Sequence, residues 1–73
     1  MTDKQFLIAL GKNISRIRKE KGIKQIDFWH QCDIEKSNLI RIEKGRTNPT
    51  ALTLRKISKT LKTPVKILFE DLE

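Results

Sequence analysis

Lys36, Ser37, Arg41 and Lys44 fall within a stretch whose spacing puts all four on one side of an α-helix. On a wheel turning roughly 100° per residue they share an arc with Ile40, while Leu39 and Ile42 point the other way. Two ammonium groups, a hydroxyl and a guanidinium form a row of hydrogen-bond donors suited to an acceptor-rich polyanion. Arg41 can grip guanine O6 and N7 with both arms of its fork, and the major groove of B-DNA admits one α-helix. A helix docked there needs an apolar back, which Leu39 and Ile42 supply.

A solvated helix face would also carry such charges, but it leaves Ile40 unexplained among the cations. In a groove, Ile40 could meet a thymine methyl. Alternatively, it packs on Trp29 or Ile26.

The whole chain agrees with a polyanionic partner. Its 73 residues hold 16 basic and 9 acidic side chains, a net charge of +7. Glu70, Asp71 and Glu73 make residues 70–73 an acidic tail, so the body is more basic than the total. Such a balance points to nucleic acid or an anionic membrane surface. The membrane alternative is weak, because no helix pairs a large apolar face with a dense cationic one. The length allows one domain, residues 1–73, with a small core from about 6 to 69. A single cysteine excludes an intrachain disulfide and fits a reducing compartment. The apolar run Phe6–Leu10 is too short for a signal peptide or a membrane span, which points to a soluble, cytoplasmic chain.

The elements that must position the row are helical, and strand signals are nearly absent. Phe6, Leu10, Ile14 and Ile17 recur with helical period over about residues 4–21, closed by Gly22. Gly11 lies inside that helix, where close backbone packing would explain it. A second helix, Gln25 to Cys32, aligns Phe28, Trp29 and Cys32. A left-handed Asp33 turns the chain into a third helix, about Glu35 to Lys44, ending at Gly45. A fourth starts at Thr50 as N-cap and runs to about Lys62 on Leu54, Ile57 and Leu61. A fifth is read from Thr63 as N-cap with Pro64 at the first helical position, and Val65 and Leu68 as its core contacts. The expected fold is all-α, with five short helices.

Several of these residues form a longer pattern. It comprises Ile14-Ser15-Arg16-Ile17-Arg18-Lys19-Glu20-Lys21-Gly22, Gln25, Ile34 and the run from Leu39 to Pro49. Leu54, Ile57, Leu61 and Leu68-Phe69 complete it. From Leu10 to Phe69 the chain resembles the phage repressor and Cro-type, or XRE, helix-turn-helix family. The resemblance implies a lambda-repressor-like domain with its helix-turn-helix at the second and third helices. It also implies sequence-specific binding of double-stranded DNA by a small transcriptional regulator.

Roles follow from the same resemblance. Gln25 matches a residue that contacts phosphate and braces the recognition helix. Lys36, Ser37 and Arg41 match base-reading positions, with Ile40 between them. Arg46 and Asn48 match phosphate contacts after that helix, with Lys44 beside them. Glu35 could accept from cytosine N4, although favourable charge at a helix N-terminus is the plainer role. Arg18 and Glu43 match a structural ion pair between the first and third helices.

Two positions depart from the pattern. Asp33 stands where the turn usually has Gly, and is easily accommodated. Trp29 stands where the family has a small residue, so a shifted or splayed crossing of the second and third helices is expected.

No catalytic constellation is present. His30 and Cys32 lie on different sides of one helix, with no further Cys or His to complete a metal site. There is no nucleophile–base pair or glycine-rich phosphate loop, so the sequence implies neither an enzyme nor a cofactor or small-molecule ligand. The contrasting reading is a helical protein-interaction module that has lost DNA binding. For DNA, a two-fold homodimer on a palindromic operator is expected, with Ile67, Phe69 or Leu72 of the fifth helix left free to form its interface.

Overall fold

The computed structural model describes residues 1–73. It contains five helices and no strand: α1 (Asp3–Glu20), α2 (Gln25–Cys32), α3 (Lys36–Glu43), α4 (Ala51–Thr60) and α5 (Val65–Leu68). α1 opens with a capping box, in which the Thr2 hydroxyl accepts from the Gln5 N–H and the Gln5 side chain accepts from the Thr2 N–H. The Thr50 hydroxyl caps α4 in the same manner, accepting from the Thr53 N–H.

α1 packs on α3 and α5, α2 on α3 and α4, and α4 on α5. Between them lies one core: Leu10, Ile14 and Ile17 of α1, Phe28 and Cys32 of α2, Leu39 and Ile42 of α3, Leu54 and Ile57 of α4, then Leu61 and Leu68. Each large aliphatic side chain so buried contributes about 1.5–3 kcal/mol. α2 and α3 are each only 8 residues long and could not persist alone in water. Their stability comes from this shared interior.

Gly11 is where α1 crosses the end of α3. A Cβ there would strike the Ile42 carbonyl oxygen and come within 2.6 Å of that of Glu43. Gly45 then turns the chain at φ +71°, with the Ile8 backbone so close that a side chain would meet it. Two contacts with α1 thus fix where α3 ends.

The fifth helix departs from expectation in three ways. Pro64, not Thr63, is its N-cap, and the Thr63 hydroxyl instead donates to the Leu61 carbonyl. Val65 is exposed, whereas Leu68 is fully buried. Ile67, Phe69 and Leu72 are half-buried and pack on the core rather than standing free. The cause is a clasp on the chain end. Asn13 Nδ2 donates to the carbonyls of Leu68 and Glu70 at 3.0 and 2.9 Å, and the Phe69 ring lies 6.2 Å from that of Phe6. These contacts roll α5 so that Val65 faces outward.

Candidate nucleic-acid interface

The turn between α2 and α3 is set by Asp33, which sits in the left-handed region at φ 56°, ψ 49°. Its N–H reaches the His30 carbonyl, and the next N–H, of Ile34, reaches that of Trp29 at 3.1 Å. The end of α2 is thereby satisfied and the chain reverses into α3 within three residues, 33–35. Glu35 is the N-cap residue of α3 and makes no side-chain cap bond. It is left exposed beside the positive end of the helix dipole.

With Leu39 and Ile42 buried, the opposite edge of α3 is turned to solvent. Lys36, Ser37, Arg41 and Lys44 are all exposed, and Ile40 is half-covered without joining the residues packed on the core. Arg46 and Asn48 are exposed in the loop that follows. None of Lys36, Arg41, Lys44 and Arg46 is within ion-pair distance of a carboxylate. Four neutralising charges on one helix and its following loop remain free for a partner.

The back of the helix is held by charge as well as by packing. Arg18 Nε donates to Glu43 Oε2 at 2.8 Å and Nη2 to Oε1 at 3.3 Å, while Nη1 donates to the Ile23 carbonyl at 2.9 Å. Gln25 Nε2 adds a bond to Glu43 Oε1 at 3.1 Å. The Arg18 and Glu43 side chains are only 8 % and 6 % exposed. One carboxylate therefore joins α1, the start of α2 and the end of α3, and no buried side-chain polar atom of the protein lacks a partner. Gln25 retains one amide hydrogen for another acceptor.

Trp29 stands outside the buried side of α2. Phe28 and Cys32 fill the buried side of α2, and the indole lies half-buried at the rim, where it packs on the core edge. Trp29, His30, Asp33, Ile34 and Glu35 line an open depression of about 320 Å³ in front of the turn. Lys36 Nζ sits 5.3 Å from the indole centroid, a contact absent from the sequence-based reading. The two residues are on different helices, so helical periodicity gave no signal for it. The Asn13 clasp was missed for the same reason.

His30 is exposed and Cys32 buried, where burial pushes its thiol up against a weaker opposing pull from a Thr60 hydrogen bond. No helix is long and apolar enough to cross a membrane.

Residues 14–68, the span that runs from the middle of α1 to the end of α5, match the HTH_3 helix-turn-helix family. The chain belongs to this family. As a member of the HTH_3 family it is a DNA-binding regulator. It is 34% identical over 67 residues to the control protein C.MunI of a Mycoplasma species, covering 90% of each chain. It is 35% identical over 52 residues to the uncharacterised HTH-type transcriptional regulator y4dJ of Sinorhizobium fredii, covering 71% of this chain and 68% of that one. Its fold is similar to that of the restriction-modification controller protein C.AhdI from Aeromonas hydrophila, with a TM-score of 0.84, 22% identity, and coverage of 86% and 96%. An HTH_3 fold of this likeness accommodates Trp29 without loss of its architecture.

Proposed function

We propose that this HTH_3 regulator lays α3 in the major groove of duplex DNA as a two-fold dimer, in the manner of a small repressor or controller. Lys36, Ser37, Ile40 and Arg41 read base edges, and Gln25, Lys44, Arg46 and Asn48 hold the flanking phosphates. The observation that carries this reading is the unpaired cationic edge of α3, mounted on the buried Arg18–Glu43–Gln25 bracket. A rigid mount holds the donors in register, and phosphate contacts fix orientation while base contacts specify. The protein acts by binding and not by catalysis, and the cytoplasm is where it would meet its target. Similarity to a control protein and to an HTH-type transcriptional regulator supports the regulatory role.

One recognition helix reads only a few base pairs, so two copies on half-sites about 34 Å apart are needed to select an operator. The surface we assign to the dimer contact is the outer side of α5, where Val65 is exposed and Ile67 and Leu72 are partly so. The interaction-module alternative requires both a motif distorted by Trp29 and an Ile40 at an interface, and the unpaired cations of α3 favour the groove reading over it.

Selection of binding sites from a random duplex pool tests the reading. A palindromic motif with half-sites one helical turn apart is expected, and no enrichment overturns it. If the dimer neutralises about 6–10 phosphates, affinity should fall by about three to five decades between 50 and 200 mM salt.

A further inference from the structure

The indole of Trp29 stands at the elbow of the helix-turn-helix, one turn before the end of α2, with the Ile34 N–H bonded to its carbonyl. Its ring is half-buried against the core edge, so its position is fixed by packing. The ring packs edge-on against His30, at 6.0 Å and 86°. Over it lies the ammonium of Lys36, the first residue of α3, at 5.3 Å from the centroid. That is within the range at which the negative face of an indole attracts a cation, and tryptophan is the strongest aromatic partner for it.

We infer that Trp29 is a positioning residue for DNA recognition: it stations the Lys36 ammonium at the entrance of the recognition helix and so sets the contact that Lys36 makes. The inference rests on α3 being the base-reading helix. A free lysine has a flexible four-carbon stem and loses much rotamer freedom on being held in one place. Here much of that ordering is done before DNA arrives. The ring occupies one side of the ammonium and leaves N–H donors on the other, so the cation can keep its place over the indole while donating to a base edge. Expulsion of water from the groove strengthens both attractions. No carboxylate competes, because Lys36 is in no ion pair. Lys36 is exposed, and Trp29 lines the open depression in front of the turn.

Affinity for the duplex selected by the wild-type protein is compared in Trp29→Leu, Trp29→Phe, Lys36→Met and the double variant Trp29→Leu/Lys36→Met. Trp29→Leu should weaken binding about two- to fivefold, and Trp29→Phe, which keeps a π face, should recover most of that. In the Lys36→Met background Trp29→Leu should have no further effect. Any relaxed base preference should fall at the position that Lys36→Met also relaxes. Equal losses from Trp29→Leu in both backgrounds, or uniform weakening on all duplexes, would show a merely structural indole and overturn the inference. A second arm needs no DNA. Trp29 is the single tryptophan and the chain has no tyrosine, so its emission reports this ring alone. Lys36→Met should shift the emission of the free protein and Lys44→Met should not; identical spectra overturn the pairing. If the wild type enriches no duplex, the DNA reading fails and the role given to Trp29 fails with it, while the emission arm still reports whether the pair exists.

Discussion

Arg18 in α1 and Glu43 at the end of α3 form a two-pronged ion pair, at 2.8 and 3.3 Å, with both side chains almost fully withdrawn from water. A carboxylate in that position is tolerable only while the guanidinium and the Gln25 amide satisfy it. Replacing either partner strands a buried charge, which typically costs about 3–5 kcal/mol. Arg18→Ala should therefore lower the melting temperature far more than Arg16→Ala. Arg16 meets Glu20 at 3.2 Å on an exposed helix face, and such pairs contribute about 0.3–0.5 kcal/mol. Paired melting curves check this, and a larger loss for Arg16 would reverse the assignment.

Gly11→Ala is expected to destabilise the fold although alanine favours helix. The gain in propensity is about 1 kcal/mol. Against it, the new methyl would press on the backbone carbonyls of Ile42 and Glu43, which cannot swing aside as a side chain could. Overpacking of this kind costs about 1–3 kcal/mol. Because the clash falls at the end of α3, DNA affinity should decline with stability. Chemical denaturation measures the first effect, and an unchanged or higher midpoint would refute the close approach.

Arg41 and Arg46 should separate base reading from phosphate holding. Arg41→Ala should cost roughly 1–3 kcal/mol on the selected duplex and relax preference at one base pair. Arg46→Ala should weaken binding to every duplex alike and reduce the salt slope by about one. Titrations on selected and scrambled duplexes at several salt concentrations distinguish the two. Indistinguishable effects would remove the assigned roles.

Val65→Asp tests the dimer surface without disturbing the core, since Val65 is 40 % exposed. Sedimentation should show wild-type dimer and variant monomer, with unchanged helicity by circular dichroism. Ile67→Asp is a poorer probe, because Ile67 packs on the core and its loss would also unfold α5. A Val65→Asp protein that dimerises as wild type places the interface elsewhere.

The Cys32 thiol should be inert in the folded protein. Burial raises its pKa and so lowers the thiolate fraction, and the side chain is closed to reagents. Alkylation at neutral pH should be slow in buffer and rapid in denaturant. Fast labelling of native protein would mean that α2 opens from the core readily.

What was legible in the chain was whatever repeats with a local period or is capped by a nearby residue. The apolar positions of α1 and α4, the limits of α2, the Thr50 cap and the left-handed Asp33 are decided by residues within a turn or two of each other. Those short-range rules carry the order of helices, and with it the exposed edge of α3. α5 lacked such support. It has 4 residues, barely more than one turn, so no period selects its buried face. Asn13, 55 residues away from Leu68 in sequence, made the selection by clasping the chain end, and it turned Val65 outward. The same holds at Trp29, whose side of α2 was clear from spacing but whose place at the rim depended on where Phe28 and Cys32 met α3 and α4. Only tertiary packing could bring Lys36 over that ring and Gln25 onto Glu43, because each pair joins separate helices. Short-range periodicity specifies a face, and a second face must arrive before a contact exists.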